Sequence, residues 1–508
     1  MSSANPLILH NGQSADVGDL PAMDVDAFRE WTICQVEAGG RLAAMFDSSP
    51  SPAGGGMGRG DFRLIAVIAR DQTGDLALAS CQPGHEPFAS ITPDCPAAHL
   101  FERELAENGV LKIVGHPWLK PVRFPDGQTI GQADFYRVEG DEVHEVAVGP
   151  VHAGVIEPGH FRFQCHGETV FHLEISLGYQ HRGVERAMTA GDPKSPAGRE
   201  GSRAIHYMET LAGDTTIGHA SAYCQLVEGL AGANVPLRAL ALRGVALELE
   251  RMANHIGDLG ALAGDVGYLP TASFCGRIRG DVLNMTAALC GNRFGRGLVR
   301  PGGVAFDVDE RLIETLLARL DAAAGDAANA VDLLWGTSSV MARFEGTGEL
   351  PLEVCEALGA VGPAARACGA DRDVRRDLPA GIYRFTHIPA CTWTGGDVFA
   401  RAWVRWLEVQ HSIDFVRQQL SELPAGDIGG TVASSPANRI AVSLVEGWRG
   451  EICHVACTDS SGRFARYKVV DPSFHNWAAL AYVLRDQQIS DFPLCNKSFN
   501  LSYCGHDL

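Results

Sequence analysis

Residues 237–257 read LRALALRGVALELERMANHIG, and this stretch decides the class of the fold. Its apolar side chains recur at three- and four-residue spacing, which is the period of an amphipathic helix. The same spacing appears at residues 222–230, 279–289 and 398–423, and the pattern of residues 185–328 is helical. Several long helices of this kind predict a helical bundle as the main body of the protein.

Strand and helix signals alternate outside the predicted bundle. Residues 24–44 and 97–108 have helical character. Apolar or alternating runs of strand type occur at residues 62–69, 76–81, 144–148, 160–164, 169–175 and 439–470. The predicted class is α+β: a small N-terminal α+β domain is fused to a large, mainly α-helical bundle domain with small antiparallel sheets at its start and end.

Shifts in composition predict three segments. Residues 1–22 are polar and are expected to form a flexible N-terminus. Residues 23–140 are expected to form the small α+β domain, and residues 141–508 the large domain. The Gly- and Pro-rich stretch at residues 50–56 predicts a loop, and it lacks the Gly-Lys-Ser/Thr ending of a phosphate-binding loop.

Composition excludes several classes of protein. The chain has 508 residues, too many for one compact core, and its net charge of −19 argues against nucleic acid as a partner. No run of 18 apolar residues occurs, and the first residues lack the features of a signal peptide, so we expect a cytosolic protein.

The cysteines give no sign of a thiolate metal site. Of the 14 cysteines, no two stand in a Cys-x-x-Cys pair, and the closest two, Cys453 and Cys457, are four residues apart. A zinc site needs a second pair of ligands, so these two are interpreted as core residues. In a cytosolic protein the other cysteines are expected to be reduced and buried.

A resemblance to known proteins rests on short motifs in a fixed order. They are FERE at 101–104, GHPW at 115–118, GPVH at 149–152, HRGVE at 181–185, RMANH at 251–255, RPGGV at 300–304, GPAARACG at 362–369, VEGWRGE at 445–451 and DPS at 471–473. The first two resemble the 30 kDa subunit of respiratory complex I. The others resemble its 49 kDa subunit and the large subunit of group 4 nickel–iron hydrogenases such as formate hydrogenlyase. The resemblance covers roughly residues 60–508.

The resemblance implies that a metal centre has been lost. In the hydrogenase branch, two Cys-x-x-Cys pairs supply the four thiolates that hold nickel and iron. The positions of the first pair fall on Ala212 and Thr215, and those of the second pair fall on Ser502 and Gly505. None of the four is a cysteine, and Cys504 is one residue away from a ligand position. We therefore expect no nickel–iron centre and no cofactor held covalently or by thiolates.

The complex I branch implies a quinone site instead. In that branch a loop histidine and a tyrosine hold the quinone, and an aspartate hydrogen-bonds the histidine. His160 resembles the loop histidine and Asp265 the aspartate, whereas the tyrosine position falls on Gly213, beside Asp214. Histidine suits proton delivery near neutral pH. We expect an acceptor cavity near His160, Asp214 and Asp265, in which the missing phenol weakens the case for quinone chemistry.

Three further charged residues are candidates from the same motifs. Glu185 resembles a glutamate that passes protons in the hydrogenase branch, and the alternative is a helix cap or an ion pair with Arg182 or Arg186. Arg251 and Arg366 are candidates for holding the cluster region of a partner, and the alternative is an internal pair with a carboxylate.

The resemblance implies a subunit of a membrane-associated complex I-like or hydrogenase-like oxidoreductase, active only within that complex. Its expected partners are a small iron–sulfur subunit that donates electrons and antiporter-like and other membrane subunits. The expected location is the cytoplasmic face of the inner membrane. Any NADH used by the complex would bind another subunit. The alternative is a non-catalytic coupling or scaffold subunit of an ion-translocating membrane complex.

Overall fold

The computed structural model describes residues 5–48, 62–84, 86–125, 130, 134–189 and 203–508. The predicted loop at residues 50–56 lies outside the described residues. Helices and small, mostly antiparallel sheets coexist in the chain, which confirms the predicted α+β class. Among the described residues, no helix has the length and apolar character needed to cross a membrane.

The N-terminal part is a sheet with helices packed against it. Its strands and helices are β1 (Leu7–Leu9), β2 (Ser14–Asp16), β3 (Ala22–Met23), α1 (Val25–Glu37), β4 (Arg41–Asp47), β5 (Leu64–Arg70), β6 (Asp75–Cys81), β7 (Phe88–Ala89), α2 (His99–Glu107) and β8 (Ile113–Val114). The main sheet has the order β1-β6-β5-β4, and β3 lies parallel to β6. The apolar runs that predicted β5 and β6 are buried in this sheet.

Two features of the N-terminal part differ from the predictions. The helix predicted at residues 24–44 ends at Glu37, because Gly39 takes a φ of 92° and the chain reverses into β4. A Cβ at Gly40 would lie 2.6 Å from the Ile68 side chain, so the close approach of this turn to β5 requires glycine. The segment 1–22, predicted to be loose, contains β1 and β2, which pair with other strands.

The larger part begins with an antiparallel sheet and continues into helices. The sheet consists of β9 (Val143–Val148), β10 (His160–His166) and β11 (Thr169–Ser176), and a later ribbon consists of β12 (Val299–Arg300) and β13 (Gly303–Val304). The helices are α3 (Val184–Ala187), α4 (Ala204–Glu209), α5 (Thr216–Ala231), α6 (Leu237–Asp265), α7 (Leu269–Cys290), α8 (Glu310–Trp335), α9 (Ser338–Phe344), α10 (Leu352–Ala357), α11 (Gly362–Arg366), α12 (Val374–Asp377), α13 (Val398–Ser421), α14 (Pro472–Val483), α15 (Phe492–Phe499) and α16 (Tyr503–Asp507). Helix α6 contains residues 237–257 and packs against α7 and α13, as a bundle requires.

A further sheet, referred to as the C-terminal sheet, joins the two ends of the chain. It consists of β14 (Arg439–Gly447), β15 (Gly450–Thr458) and β16 (Phe464–Val470), with β2 paired to the outer edge of β14. The side chain of Asn11 reinforces this junction, because its Oδ1 accepts from Leu444 N at 2.8 Å and its Nδ2 donates to Leu444 O at 2.9 Å. The N-terminal segment is therefore part of the C-terminal sheet.

Two large hydrophobic cores and one small cluster around Ala400 result from this arrangement of the described residues. One lies among the helices of the bundle and includes most of the apolar side chains of α5 and α6. The other combines the N-terminal sheet with apolar residues of β14 and β15, such as Val442 and Val455. The second core therefore crosses the boundary predicted at residue 140.

Candidate functional site

A pocket of about 410 Å³ lies where the bundle meets the C-terminal sheet. Its walls come from the turn between α4 and α5, from α6, α7 and α15, and from the hairpin turn between β14 and β15. The polar side chains that line it are Asp214, Asn254, Asp258, Arg279, Arg449, Lys497 and Asn500. The turn at residues 212–215 carries the two positions that the resemblance assigns to the first ligand pair, and the position that it assigns to the tyrosine, so the pocket is the candidate site.

Asp214 shapes the floor of the pocket. Its φ of 48° is in the left-handed region, and its backbone carbonyl accepts from Trp448 Nε1 and from Asn254 Nδ2, both at 3.1 Å. Its carboxylate pairs with Arg279 on α7. The turn is therefore held by α6, α7 and the β14–β15 hairpin at once, and Asp214 faces the pocket as half of an ion pair.

The four positions that the resemblance assigns to metal ligands are buried and make other contacts. Thr215 Oγ1 accepts from Arg449 Nη1 at 3.2 Å. Ser502 Oγ accepts from Gly505 N at 2.9 Å and caps α16. A Cβ at Gly505 would lie 2.7 Å from Cγ of Asp471, so this carboxylate fills the space that a cysteine side chain there would need. The fourth position, Ala212, carries only a methyl group. None of the four side chains can supply a thiolate, so the set does not fit nickel and iron.

The thiol beside these positions does not change that conclusion. Cys504 Sγ lies 3.5 Å from Ser502 Oγ, and burial raises the pKa of the Cys504 thiol to about 11, so it is not a thiolate near neutral pH. In the described part of the chain, no three His, Cys, Asp or Glu side chains are grouped so as to hold a metal ion.

A chain of buried hydrogen bonds leads away from Asp471. Its Oδ2 lies 3.0 Å from His219 Nε2, His219 Nδ1 lies 3.1 Å from His454 Nε2, and His454 Nδ1 lies 2.8 Å from the Tyr467 hydroxyl. When Asp471 is ionised it can only accept, so His219 Nε2 carries the proton and donates to it. His219 Nδ1 then accepts from His454 Nε2, and His454 Nδ1 accepts from the Tyr467 hydroxyl. Burial lowers the pKa of His454, so the neutral form of that ring is favoured.

The structure does not bring His160 and Asp265 together. His160 is at the start of β10, where its Nδ1 lies 3.3 Å from Gly149 O and its Nε2 accepts from Arg162 Nε at 3.3 Å. Asp265 ends α6 and feels the charge of Lys497. Both are described residues, and no hydrogen bond or ion pair joins them. Both ring nitrogens of His160 are therefore already engaged.

A phenol that the sequence did not signal lies near the His160 loop. A Cβ at Gly159 would be 2.5 Å from the ring of Tyr503, so the loop packs directly on that ring. Tyr503 follows one of the lost ligand positions and is separated from the loop by more than 300 residues of sequence. No local pattern could have connected them.

Glu185 is held as a carboxylate by two cations. Its Oε2 accepts from Arg466 Nη1 at 2.9 Å, and its Oε1 lies 3.1 Å from Lys468 Nζ. Burial alone would raise the pKa of Glu185, but Lys468 and Arg466 outweigh it and hold that pKa well below its usual range. Glu185 therefore forms ion pairs, but among the described residues its partners are Arg466 and Lys468 on β16 and not the Arg182 or Arg186 of the alternative.

Arg251 and Arg366 each form an ion pair with a glutamate inside the chain. Arg251 donates to Glu248 at 3.0 Å and to the backbone carbonyl of Gly447 at 3.0 Å. Arg366 donates to Glu408 at 2.7 Å. Both guanidinium groups are buried in the chain, which agrees with the internal alternative for these residues.

Glu250 is a further titratable group near the pocket. It accepts from the backbone N–H of Ile217 at 2.7 Å and of Gly218 at 3.1 Å, at the start of α5. Burial, aided by Asp214, raises the pKa of Glu250 to about 8. The helical pattern of residues 237–257 placed Glu250 on α6, but it gave no sign of this environment.

Comparison with known proteins agrees with the motifs. Residues 265–439 and 430–507 match the family described as respiratory-chain NADH dehydrogenase, 49 Kd subunit. The carbon monoxide-induced hydrogenase of Rhodospirillum rubrum is 32% identical over 359 residues, which are 70% of this chain and 97% of that protein.

Two other relatives represent the two branches. Formate hydrogenlyase subunit 5 of Escherichia coli K12 is 28% identical over 445 residues, covering 82% of this chain and 76% of that protein. An NADH-quinone oxidoreductase subunit from Dehalococcoides mccartyi is 31% identical over 350 residues, covering 68% of this chain and 92% of that protein. The resemblance to both branches is thus confirmed.

Proposed function

Because the chain belongs to the family of the 49 kDa subunit of respiratory-chain NADH dehydrogenase, we propose that it is the large subunit of a membrane-associated oxidoreductase complex. The pocket beside the Asp214 turn is its acceptor site. The observation that carries this proposal is the position of the pocket, because the turn at residues 212–215 forms its floor.

The electrons come from a cluster in a small iron–sulfur subunit, and a quinone is the proposed acceptor. The complex also contains antiporter-like membrane subunits, and the chain sits on the cytoplasmic face of the inner membrane. Relatives whose names include NADH-quinone oxidoreductase and formate hydrogenlyase support this placement. The buried ion pairs of Arg251 and Arg366 give the site a rigid support rather than a direct contact with the acceptor.

Neither His160 nor Asp265 is among the residues that line the pocket, and the two have separate roles in this proposal. Burial, with a smaller effect of the neighbouring Arg162, lowers the pKa of the His160 ring. It therefore accepts a hydrogen bond at Nε2, and it can donate to a quinone only if the contact with Gly149 or Arg162 breaks. Asp265 acts on the pocket through Lys497 instead of through His160.

Quinone reduction by the purified complex tests the proposal. We expect turnover to fall in the His160→Ala and Asp265→Ala variants, and to stay unchanged in His166→Ala, because His166 is an exposed histidine on the same strand. Unchanged turnover in both of the first two variants would remove the quinone site. Nickel above background by elemental analysis would contradict the loss of the metal centre.

The second candidate is a non-catalytic coupling subunit. The engaged nitrogens of His160 and the low pKa of Glu185 favour it, because neither group is poised to give up a proton. In that case the purified complex would move ions without any quinone reduction that depends on this chain. The same variants distinguish the two functions, because ion transport would persist in His160→Ala.

A further inference from the structure

Arg449 is a buried cation without a carboxylate partner. Its side chain is 8% exposed and stacks on the ring of Trp448 at 3.9 Å. Its hydrogen bonds go to neutral oxygens: Nη1 donates to Gly213 O at 2.8 Å and to Thr215 Oγ1, and Nε donates to Asn500 O. Among the described residues, no carboxylate lies within ion-pair distance of it. A buried charge without a counter-charge is costly, so the pocket is electrostatically incomplete.

Lys497 is a second cation of the same kind. It lines the pocket from α15 and is only partly exposed. No described residue forms a hydrogen bond or an ion pair with its ammonium group, and the carboxylate of Asp265 interacts with it only through space. Two cations of the pocket wall therefore lack a contacting anion, in a chain whose net charge is −19.

The carboxylates of the wall are already neutralised. Asp214 is paired with Arg279, and Asp258 lies 3.0 Å from Arg405 Nε and accepts from Asn500 Nδ2 at 2.5 Å.

Two carboxyl groups behind the wall do not provide the missing charge either. Glu250, whose pKa burial raises to about 8, is largely neutral near pH 7. Asp471 feels Arg449 only through space and uses its oxygens for His219 and Ser473. The excess of positive charge is thus located at Arg449 and Lys497.

We propose that this pocket binds a small planar oxyanion of the carboxylate type between Lys497 and Arg449. The Trp448 ring fixes the plane of the guanidinium group, and Nη2 of Arg449 makes no hydrogen bond to a described residue. The Nη2 amino group of Arg449 and the ammonium group of Lys497 can each donate to one oxygen of a carboxylate, and two separate donors suit the two oxygens of a carboxylate better than one spherical anion. The inference rests on the proposed function only in placing the ligand in the same pocket, and it requires no electron transfer.

Calorimetric titration of the purified complex with acetate, at low ionic strength, tests the site. We expect one saturable site per chain, with chloride binding at least about tenfold more weakly. Lys497→Met removes the ammonium group and keeps the length of the side chain. It should weaken acetate binding about tenfold or more, the range of one charge-assisted hydrogen bond. Lys112→Met, at an exposed lysine of the N-terminal part, is the matched control and should bind acetate like the wild type.

Three outcomes would overturn the site: no saturable acetate binding, equal binding in Lys497→Met, or binding to the isolated chain but not to the complex. The last outcome would mean that a carboxylate of a partner subunit supplies the charge. The result is independent of the quinone assay. Acetate binding without quinone reduction would support the anion site and contradict the proposed quinone acceptor. Quinone reduction without acetate binding would support the quinone acceptor and contradict the anion site.

Discussion

At the scale of single residues, the contact between Gly505 and Asp471 leaves no room for a larger side chain at a position that the resemblance assigns to a metal ligand. A Cβ at Gly505 would approach Oδ1 and Oδ2 of Asp471 to 2.9 Å. Gly505→Ala should therefore destabilise the protein by about 1–3 kcal/mol, the usual cost of overpacking. Urea unfolding of the wild type and the variant measures the difference.

A glycine at the other former ligand turn provides the control. A Cβ at Gly213 meets no atom within 4 Å, so Gly213→Ala should leave the free energy of unfolding nearly unchanged. The double variant Gly505→Ala with Asp471→Ala should lose less stability than the sum of the two single variants, because the clash disappears. Strict additivity would contradict the contact.

His475 makes stability depend on pH. Burial, with a smaller effect of Arg41, lowers the pKa of His475 to about 4, below the value of about 6.5 in an unfolded chain. The unfolded state then binds the proton more readily, so the stabilisation is complete above about pH 6.5 and is lost as the pH falls toward 4. This residue should account for about 3 kcal/mol of the loss.

Urea midpoints at about pH 7 and about pH 4.5 measure that loss. His475→Gln cannot titrate, so its stability should fall less between the two pH values than that of the wild type. Other histidines whose pKa burial lowers, such as His99, contribute to both proteins and cancel in the comparison. Equal losses in both proteins would show that His475 is not held neutral by the fold.

Residue roles were predictable only where the partner is near in sequence or the motif itself carries the information. The positions without thiolates could be read from the sequence, because the absence of cysteine is itself a sequence property. The partners of Glu185 could not, because β16 brings Arg466 from 281 residues away. His160 and Asp265 were expected to touch, but the backbone of the β9–β10 loop and Arg162 occupy the histidine instead.

At the scale of elements, α6 and α13 are joined by a buried carboxylate. Glu408 on α13 lies 2.7 Å from Arg366, 2.9 Å from His255 and 3.4 Å from Arg251. Glu408→Gln keeps the size of the side chain but leaves two buried guanidinium groups short of negative charge. We expect a loss of about 3–5 kcal/mol in the free energy of unfolding, measured by urea denaturation.

An exposed pair between α8 and α13 is the matched control. Arg417 pairs with Asp321, and the two side chains are 41% and 65% exposed. Asp321→Asn should therefore cost less than about 1 kcal/mol. Similar losses in Asp321→Asn and Glu408→Gln would show that the buried α6–α13 network contributes no more to the free energy of unfolding than an exposed pair.

Element prediction succeeded where periodicity extended over many turns. The pattern at residues 237–257 correctly placed α6, although the helix continues to Asp265. The pattern at residues 24–44 was wrong beyond Glu37, because apolar residues in β4 happen to continue the helical spacing after the turn at Gly39. A short apolar run fits the period of a helix as well as that of a strand. In β4, pairing and burial in the sheet favour the strand.

At the scale of the whole molecule, the N-terminal part and the C-terminal sheet share one core. Apolar side chains of β5 and β6 lie in the same cluster as Val442 and Val455. Strand β2 also pairs with β14, so the chain closes on itself. The sequence could not show this, because strand pairing between residues more than 400 positions apart leaves no local pattern.

The shared core predicts how fragments of the chain behave. Residues 1–148 expressed alone should fail to give a cooperative unfolding transition, because the apolar face that meets β14 and β15 would be exposed to water. Co-expression with residues 149–508 should restore a soluble pair with the near-UV circular dichroism of the intact chain. A fragment ending before β14, residues 1–430, keeps most of the bundle core but also lacks the covering sheet, so it should be less stable than the intact chain. Cooperative unfolding of residues 1–148 alone would mean that the N-terminal part is an independent domain that merely rests on the C-terminal sheet.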